Sequence, residues 1–204
     1  RWCRPQRYYD LSPWRGTFFL DGGCLTNQGI HHLDLARFLC SDVESVSANM
    51  STLGSKVEVE DTVIGSLIFN NGAVGSIEIT TSARPKDYEA SISLVCEKGI
   101  VQIGGIAVNE LQEYSVNNKI CRKYSEDFKN DIYGNGHYLI YKEIYNVYNN
   151  NTKYFIDEVD SIKTLKLLNS LYISDEKKKW INTRENIESK RLGKYSKNLM
   201  KLYI

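Results

Sequence analysis

The chain has 204 residues, 42% of them apolar and 25% charged, with 14 Gly and 3 Pro, which excludes disordered, collagen-like and disulfide-scaffold classes and leaves enough chain to bury a sizeable core. No apolar run approaches the ~18 residues of a bilayer span, and the opening Arg1-Trp2-Cys3-Arg4-Pro5 has no apolar stretch behind its charges, so neither membrane nor secretory leader is expected. A net charge of +1 supplies no overall field for nucleic acid or anionic lipid, and neither is expected as a partner.

Charge is uneven along the chain. From Lys177 onward nine Lys/Arg face two Asp/Glu, so the C-terminal stretch is compositionally separate from the acidic remainder. The expected division is a domain over 1–184 and a basic extension over 185–204, solvated or frayed. The chain opens without Met and reads as part of a longer or processed protein. Cys3, Cys24, Cys40, Cys96 and Cys121 are odd in number and contain no C-x-x-C, which fits a reducing cytoplasm; Cys40 and Cys96 are expected on apolar faces.

In chain order, residues 24–40 predict a helix, with Ile30, Leu33, Ala36 and Cys40 on its apolar face and Thr26 or Asn27 as its cap. Strands follow over 46–53 and 61–69, the second alternating Val63, Leu67 and Phe69 with Thr62 and Ser66. Asn70-Asn71-Gly72 supplies a hairpin turn, and Val74 to Thr81 returns with Ile77 and Ile79 facing opposite to Ser76, Glu78 and Thr80. Further strands are expected over 89–96, 100–103, 107–115 and 120–124. Helices come last: 138–148, with Ile140, Ile144 and Tyr148 in register, and 159–173, with Ile162, Leu165, Leu168 and Tyr172 inward. The fold class is α+β, an open, mostly antiparallel sheet of about six strands with helices packed on one face.

The stretch Trp14-Arg15-Gly16 through Asp34 is the most informative. Asn27, His31 and Asp34 stand at i, i+4 and i+7, on one helical stripe, and Gly22-Gly23 before it admits a close approach. His31 is the natural base for a sugar or alcohol hydroxyl, with Asn27 orienting the same group. Arg15 is a candidate for a substrate carboxylate or phosphate, or for an ion pair with Asp21 or Asp34. Asp34 either steadies His31 from one turn beyond or pairs with Arg37, and His32 is expected at the surface or an interface. Cys24, His31, His32 and Cys40 match no zinc-ligand spacing.

Trp14-Arg15-Gly16, Asp21-Gly22-Gly23, Asn27-Gln28-Gly29-Ile30-His31, Val59-Glu60-Asp61-Thr62, Asn71-Gly72-Ala73-Val74-Gly75 and Gly136-His137, in this order, resemble the C-terminal domain of the Gfo/Idh/MocA oxidoreductases over about residues 4 to 182. The resemblance implies a catalytic pair, His31 as acid/base with Asn27, and a substrate pocket involving Arg15, Asp21, Gly23 and Asp34. It implies NAD or NADP held by an N-terminal Rossmann domain, and homo-oligomer contacts through the open sheet face. Asn27 stands where many members carry Asp and Cys24 where a third Gly is common; an amide orients but cannot relay a proton. Asn at this position is similar to branches acting on nucleotide sugars such as UDP-N-acetylglucosaminuronate. No G-x-G-x-x-G follows a strand, so the chain alone is expected to bind no NAD(P) and to be inactive without its nucleotide domain. The alternative is a non-catalytic binding and oligomerisation module of the same fold.

Overall fold

A computed structural model describes residues 1–128, 134–154, 156 and 158–203. It divides into two compact units, Arg1–Asp87 with Val159–Ile204, and Tyr88–Glu158.

The first unit begins with the short helix α1 (Gln6–Tyr9) and reaches a π-helical segment, Leu25–Gly29, that runs directly into α2 (Ile30–Cys40). Then come β1 (Val43–Ser51), β2 (Thr62–Phe69) and β3 (Val74–Thr80). After the second unit follow α4 (Glu158–Lys177), the two-residue β7 (Ile181–Asn182) and α5 (Lys197–Met200). The four strands form one antiparallel sheet in the order β3-β2-β1-β7. Alternation decides its faces: Val63, Leu67 and Phe69 are buried beneath α2 and α4, while Ile64 and Ser66 are exposed on the other side. The core joins Val46, Val63, Leu67 and Ile79 to Leu33 of α2 and Leu167, Leu171 and Tyr172 of α4.

The second unit carries β4 (Ile92–Cys96), β5 (Gly99–Gly104) and β6 (Glu110–Tyr114), an antiparallel meander, then a 3-10 segment (Asn118–Tyr124) and α3 (Gly136–Asn150). The expected α+β class is the one observed, but its strands are shared between a sheet of four and a sheet of three. The expected strand at 120–124 is helical: Ile120 N bonds back to Asn117 O, and Tyr114 N is taken by the Asn118 side chain, which turns the chain off the sheet. Cys96, expected on an apolar face, is exposed.

Helix α4 is rotated from the face its apolar periodicity predicts. Ile162 and Leu165 are exposed, and Thr164, Ser170, Ser174 and Asp175 are buried instead. Two of these polar groups complete the sheet. Beyond the two residues paired with β7, the β1 edge has its Ala48 N–H bonded to Ser174 Oγ at 3.0 Å and its Met50 N–H to Asp175 Oδ1 at 2.9 Å. Polar residues on a core-facing stripe thus satisfy donors that would otherwise be buried unpaired.

The basic stretch is anchored in part. Asn169 Nδ2 donates to Ile187 O, the Glu176 carboxylate accepts from Ser189 and Lys190, and Arg191 bonds Asp175 at 2.7 Å while its guanidinium lies over the rings of Phe18 and Tyr172.

Candidate active site

Gly22, with φ +71°, turns the chain into the π-segment, and Gly22 N is held by Thr17 O at 2.9 Å. Inside this turn Asp21 is a bracket. Its Oδ2 accepts from Gly16 N at 2.7 Å and its Oδ1 from Asn27 Nδ2 at 2.6 Å, while Asn27 Oδ1 accepts from Gln28 Nε2 at 2.9 Å. The Asn27 amide is therefore fixed at both ends. The bond also accounts for an amide in place of a carboxylate here: an unprotonated Asp could not donate to Asp21 and would repel it.

The predicted helix over 24–40 is π-helical in its first turn. A π-turn adds a residue per turn and recurs at functional sites. It carries Asn27 and delivers His31 into the first turn of α2, where His31 is exposed and makes no hydrogen bond to a described residue. His32 points elsewhere: both ring nitrogens are inaccessible and without a hydrogen-bond partner among the described residues, the ring packs edge-on against Trp2 at 5.2 Å, and burial pushes its pKa down. It is a side chain packed within the chain rather than at the surface or interface where it was expected.

The other expected residues are placed less closely together. Asp34 turns to α4, where it accepts from Thr164 Oγ1, and lies 3.9 Å from Arg37. Arg15 pairs with neither Asp21 nor Asp34; its Nη1 donates to Tyr8 O at 2.9 Å, its guanidinium lies 4.3 Å from the Tyr8 ring centroid, and its buried Nε has no partner among the described residues. Arg37, named in the sequence only as a possible partner of Asp34, is the buried cation of α2, clamped by Asp42, Asp160 and Thr164.

Beneath the π-turn lies a polar network that periodicity did not reveal. Glu60, 3% exposed, accepts at Oε1 from Tyr172 Oη at 2.7 Å and from Leu25 N at 3.2 Å, while Oε2 has no partner among the described residues. Tyr172 Oη also meets Thr26 Oγ1 at 3.0 Å and Gly23 N at 3.3 Å. The available signal was Glu60 itself, an acid beside buried Val59 at the head of a strand. Burial pushes its carboxyl up to about 7, against which the Tyr172 bond works. Cys24, buried alongside, is held as a thiol by burial and by the charges of Glu60 and Asp61.

A carboxyl raised in the folded state favours folding fully below its ordinary value of 4.5 and loses that contribution as pH rises to about 7. Wild-type stability is therefore expected to decline between pH 5 and 8 relative to Glu60→Gln, by about 3 kcal/mol at the alkaline end. Urea unfolding of both proteins at several pH values measures it, and parallel pH profiles would contradict it.

The chain belongs to the GFO/IDH/MocA family, whose C-terminal domain model matches residues 1–102. Among solved structures it is similar to the WlbA dehydrogenase of Bordetella pertussis in complex with NADH and UDP-GlcNAcA, at 35% identity and TM-score 0.80 over 89% of this chain and 54% of that one. The Chromobacterium violaceum WlbA structure with the same ligands matches at 38% identity and TM-score 0.78, over 89% and 52%. Levoglucosan dehydrogenase with NADH, at 17% identity and TM-score 0.71 over 90% and 57%, shares the fold. The chain spans about half the length of these dehydrogenases. No curated protein matches it.

Proposed function

We propose that this chain is the substrate-binding half of an NAD(P)-dependent oxidoreductase that oxidises a hydroxyl of a nucleotide sugar, with UDP-N-acetylglucosaminuronate as the first substrate to test. The observation that carries it is the Asn27 amide, locked by Asp21 and Gln28 inside a π-turn that leads to the exposed imidazole of His31. The identity with WlbA dehydrogenases supports the substrate class.

In this mechanism His31 takes the proton of the reacting hydroxyl, and Asn27 orients that hydroxyl with the remaining hydrogen-bonding capacity of its amide. Asp21 is the positioning residue for Asn27. Arg15, whose guanidinium is set over the Tyr8 ring and held through Nη1 by Tyr8 O, is assigned the sugar carboxylate. Gly23 keeps the turn free of a side chain, and Asp34 borders the stripe at its far end. The dinucleotide is not fitted by these residues: every strand pairing among the described residues is antiparallel, with no strand-helix-strand crossover to present a glycine-rich turn to a pyrophosphate. NAD(P) is the hydride acceptor of the reaction and is assigned no contact here.

The exposed side of the four-stranded sheet, bearing Ile64 and Val74, supports a homo-oligomer through that face. Cys3, Cys24, Cys96 and Cys121, none in a disulfide, support a cytoplasmic setting, and no helix among the described residues is long and apolar enough to cross a membrane.

The expected result is that the 204-residue chain gives no heat of binding with NAD. Joined to a dinucleotide-binding domain, it reduces NAD when UDP-N-acetylglucosaminuronate is supplied. Absence of NADH formation from any UDP-sugar in that longer protein would favour the non-catalytic module.

A further inference from the structure

An open hollow of about 560 Å3 lies in the first unit, between the first seven residues and the segment 84–87, and shares no lining residue with the Asp21–Asp34 stretch. Its size is that of a small-molecule site. Four basic side chains line it, Arg4, Arg7, Arg84 and Lys86, against one carboxylate, Asp87.

Two of the four cations are already fixed. Arg4 Nη1 donates to Asp87 Oδ1 and to Cys3 O, both at 3.0 Å, and Arg84 uses Nη1 and Nη2 on the backbone carbonyls of Ala83, Thr81 and Arg4. Asp87 is tied to the fold through one oxygen, Oδ1, which also accepts from Cys3 N at 2.6 Å. Arg7 and Lys86 differ: both are exposed and neither forms a hydrogen bond or ion pair with a described residue. Four like charges around one hollow repel one another, and two of them return no bond to the fold. The arrangement is complementary to a multiply charged anion, because the guanidiniums of Arg4 and Arg84 are held in place and the exposed cations of Arg7 and Lys86 are not tied to the described residues.

The hollow is connected to the proposed site through one ring. The Arg4 guanidinium lies 5.5 Å from the Tyr8 ring centroid, and Arg15 lies 4.3 Å from the same centroid. Arg15 and Arg4 thus have the Tyr8 ring as a common neighbour.

We propose that this hollow is a diphosphate-binding site, in which Arg7 and Lys86 close on the phosphate oxygens of a nucleotide sugar whose sugar end lies toward Arg15. The assignment rests on the nucleotide-sugar reading above, but its test does not require turnover. The protein is titrated calorimetrically with UDP, inorganic pyrophosphate and uridine. UDP and pyrophosphate are expected to bind, more weakly as salt is added, and uridine to bind far less. The double variant Arg7→Ala/Lys86→Ala is expected to weaken UDP binding roughly 10- to 100-fold, with partial recovery in Arg7→Lys/Lys86→Arg. Both residues are exposed, so an unchanged circular dichroism spectrum accompanies the loss. Equal UDP affinity in wild type and double variant, no binding of UDP or pyrophosphate by the wild type, or uridine binding as tight as UDP would each overturn the site. Failure of the enzymatic reading is separate: it shows as no NAD reduction while UDP binding stays sensitive to Arg7 and Lys86.

Discussion

Replacing His31 by Ala is expected to lower nucleotide-sugar oxidation by roughly 100- to 10,000-fold, the usual worth of a positioned acid/base. Stability should change by no more than about 0.5 kcal/mol, because the imidazole is exposed and bonds no described residue. The pairing of a large kinetic loss with a small thermodynamic one is the diagnostic part, and steady-state rates with parallel thermal melts measure it. The substrate affinity of His31→Ala should be nearly preserved, as expected for a group whose contribution grows in the transition state. Asn27→Asp offers the contrasting case. It places a second carboxyl 2.6 Å from Asp21, so either a proton is shared between the two or the bracket opens. Turnover of His31→Ala within a few-fold of wild type would remove His31 from the mechanism and leave the module reading.

Gly23→Ala is the substitution expected to damage the fold most. A Cβ at this position would sit 2.0 Å from both the carboxyl carbon and Oε1 of Glu60 and 2.1 Å from Oε2. Glu60 has nowhere to go: it is 3% exposed and bonded to the fully buried Tyr172. Relief requires moving the turn, which breaks the Gly23–Tyr172 and Leu25–Glu60 bonds, or expelling a buried carboxyl. The expected cost is about 3 kcal/mol or more in urea unfolding, with loss of turnover because Asn27 rides on the same segment. Adding Glu60→Ala removes the clashing group, so the double variant should be more stable than the sum of the single losses predicts. Gly136, whose Cβ would meet nothing within 4 Å, is the control: Gly136→Ala should be neutral or slightly stabilising. A Gly23→Ala protein as stable as wild type would mean that Glu60 is not held where the structure places it.

The sequence by itself determined the features that repeat locally. The alternation around Val63, Leu67 and Phe69, the Asn-Asn-Gly turn and the inward Ile77 and Ile79 were legible because each strand residue reports its own side of the sheet through a period of two. The stripe from Asn27 to Asp34 and the glycines before it were equally visible. Only the tertiary structure decided which partners the members of that stripe take: Asn27 is bound to Asp21 within the turn, whereas Asp34 is drawn away to Thr164, 130 positions on. It also turned α4 so that Thr164, Ser174 and Asp175 face inward, joined Glu60 to Tyr172 across 112 positions, and split the strands between two sheets. Polar residues of this kind resemble surface in any hydropathy pattern. Their burial is made tolerable by partners distant in sequence, and which partners meet is settled only when the chain has folded.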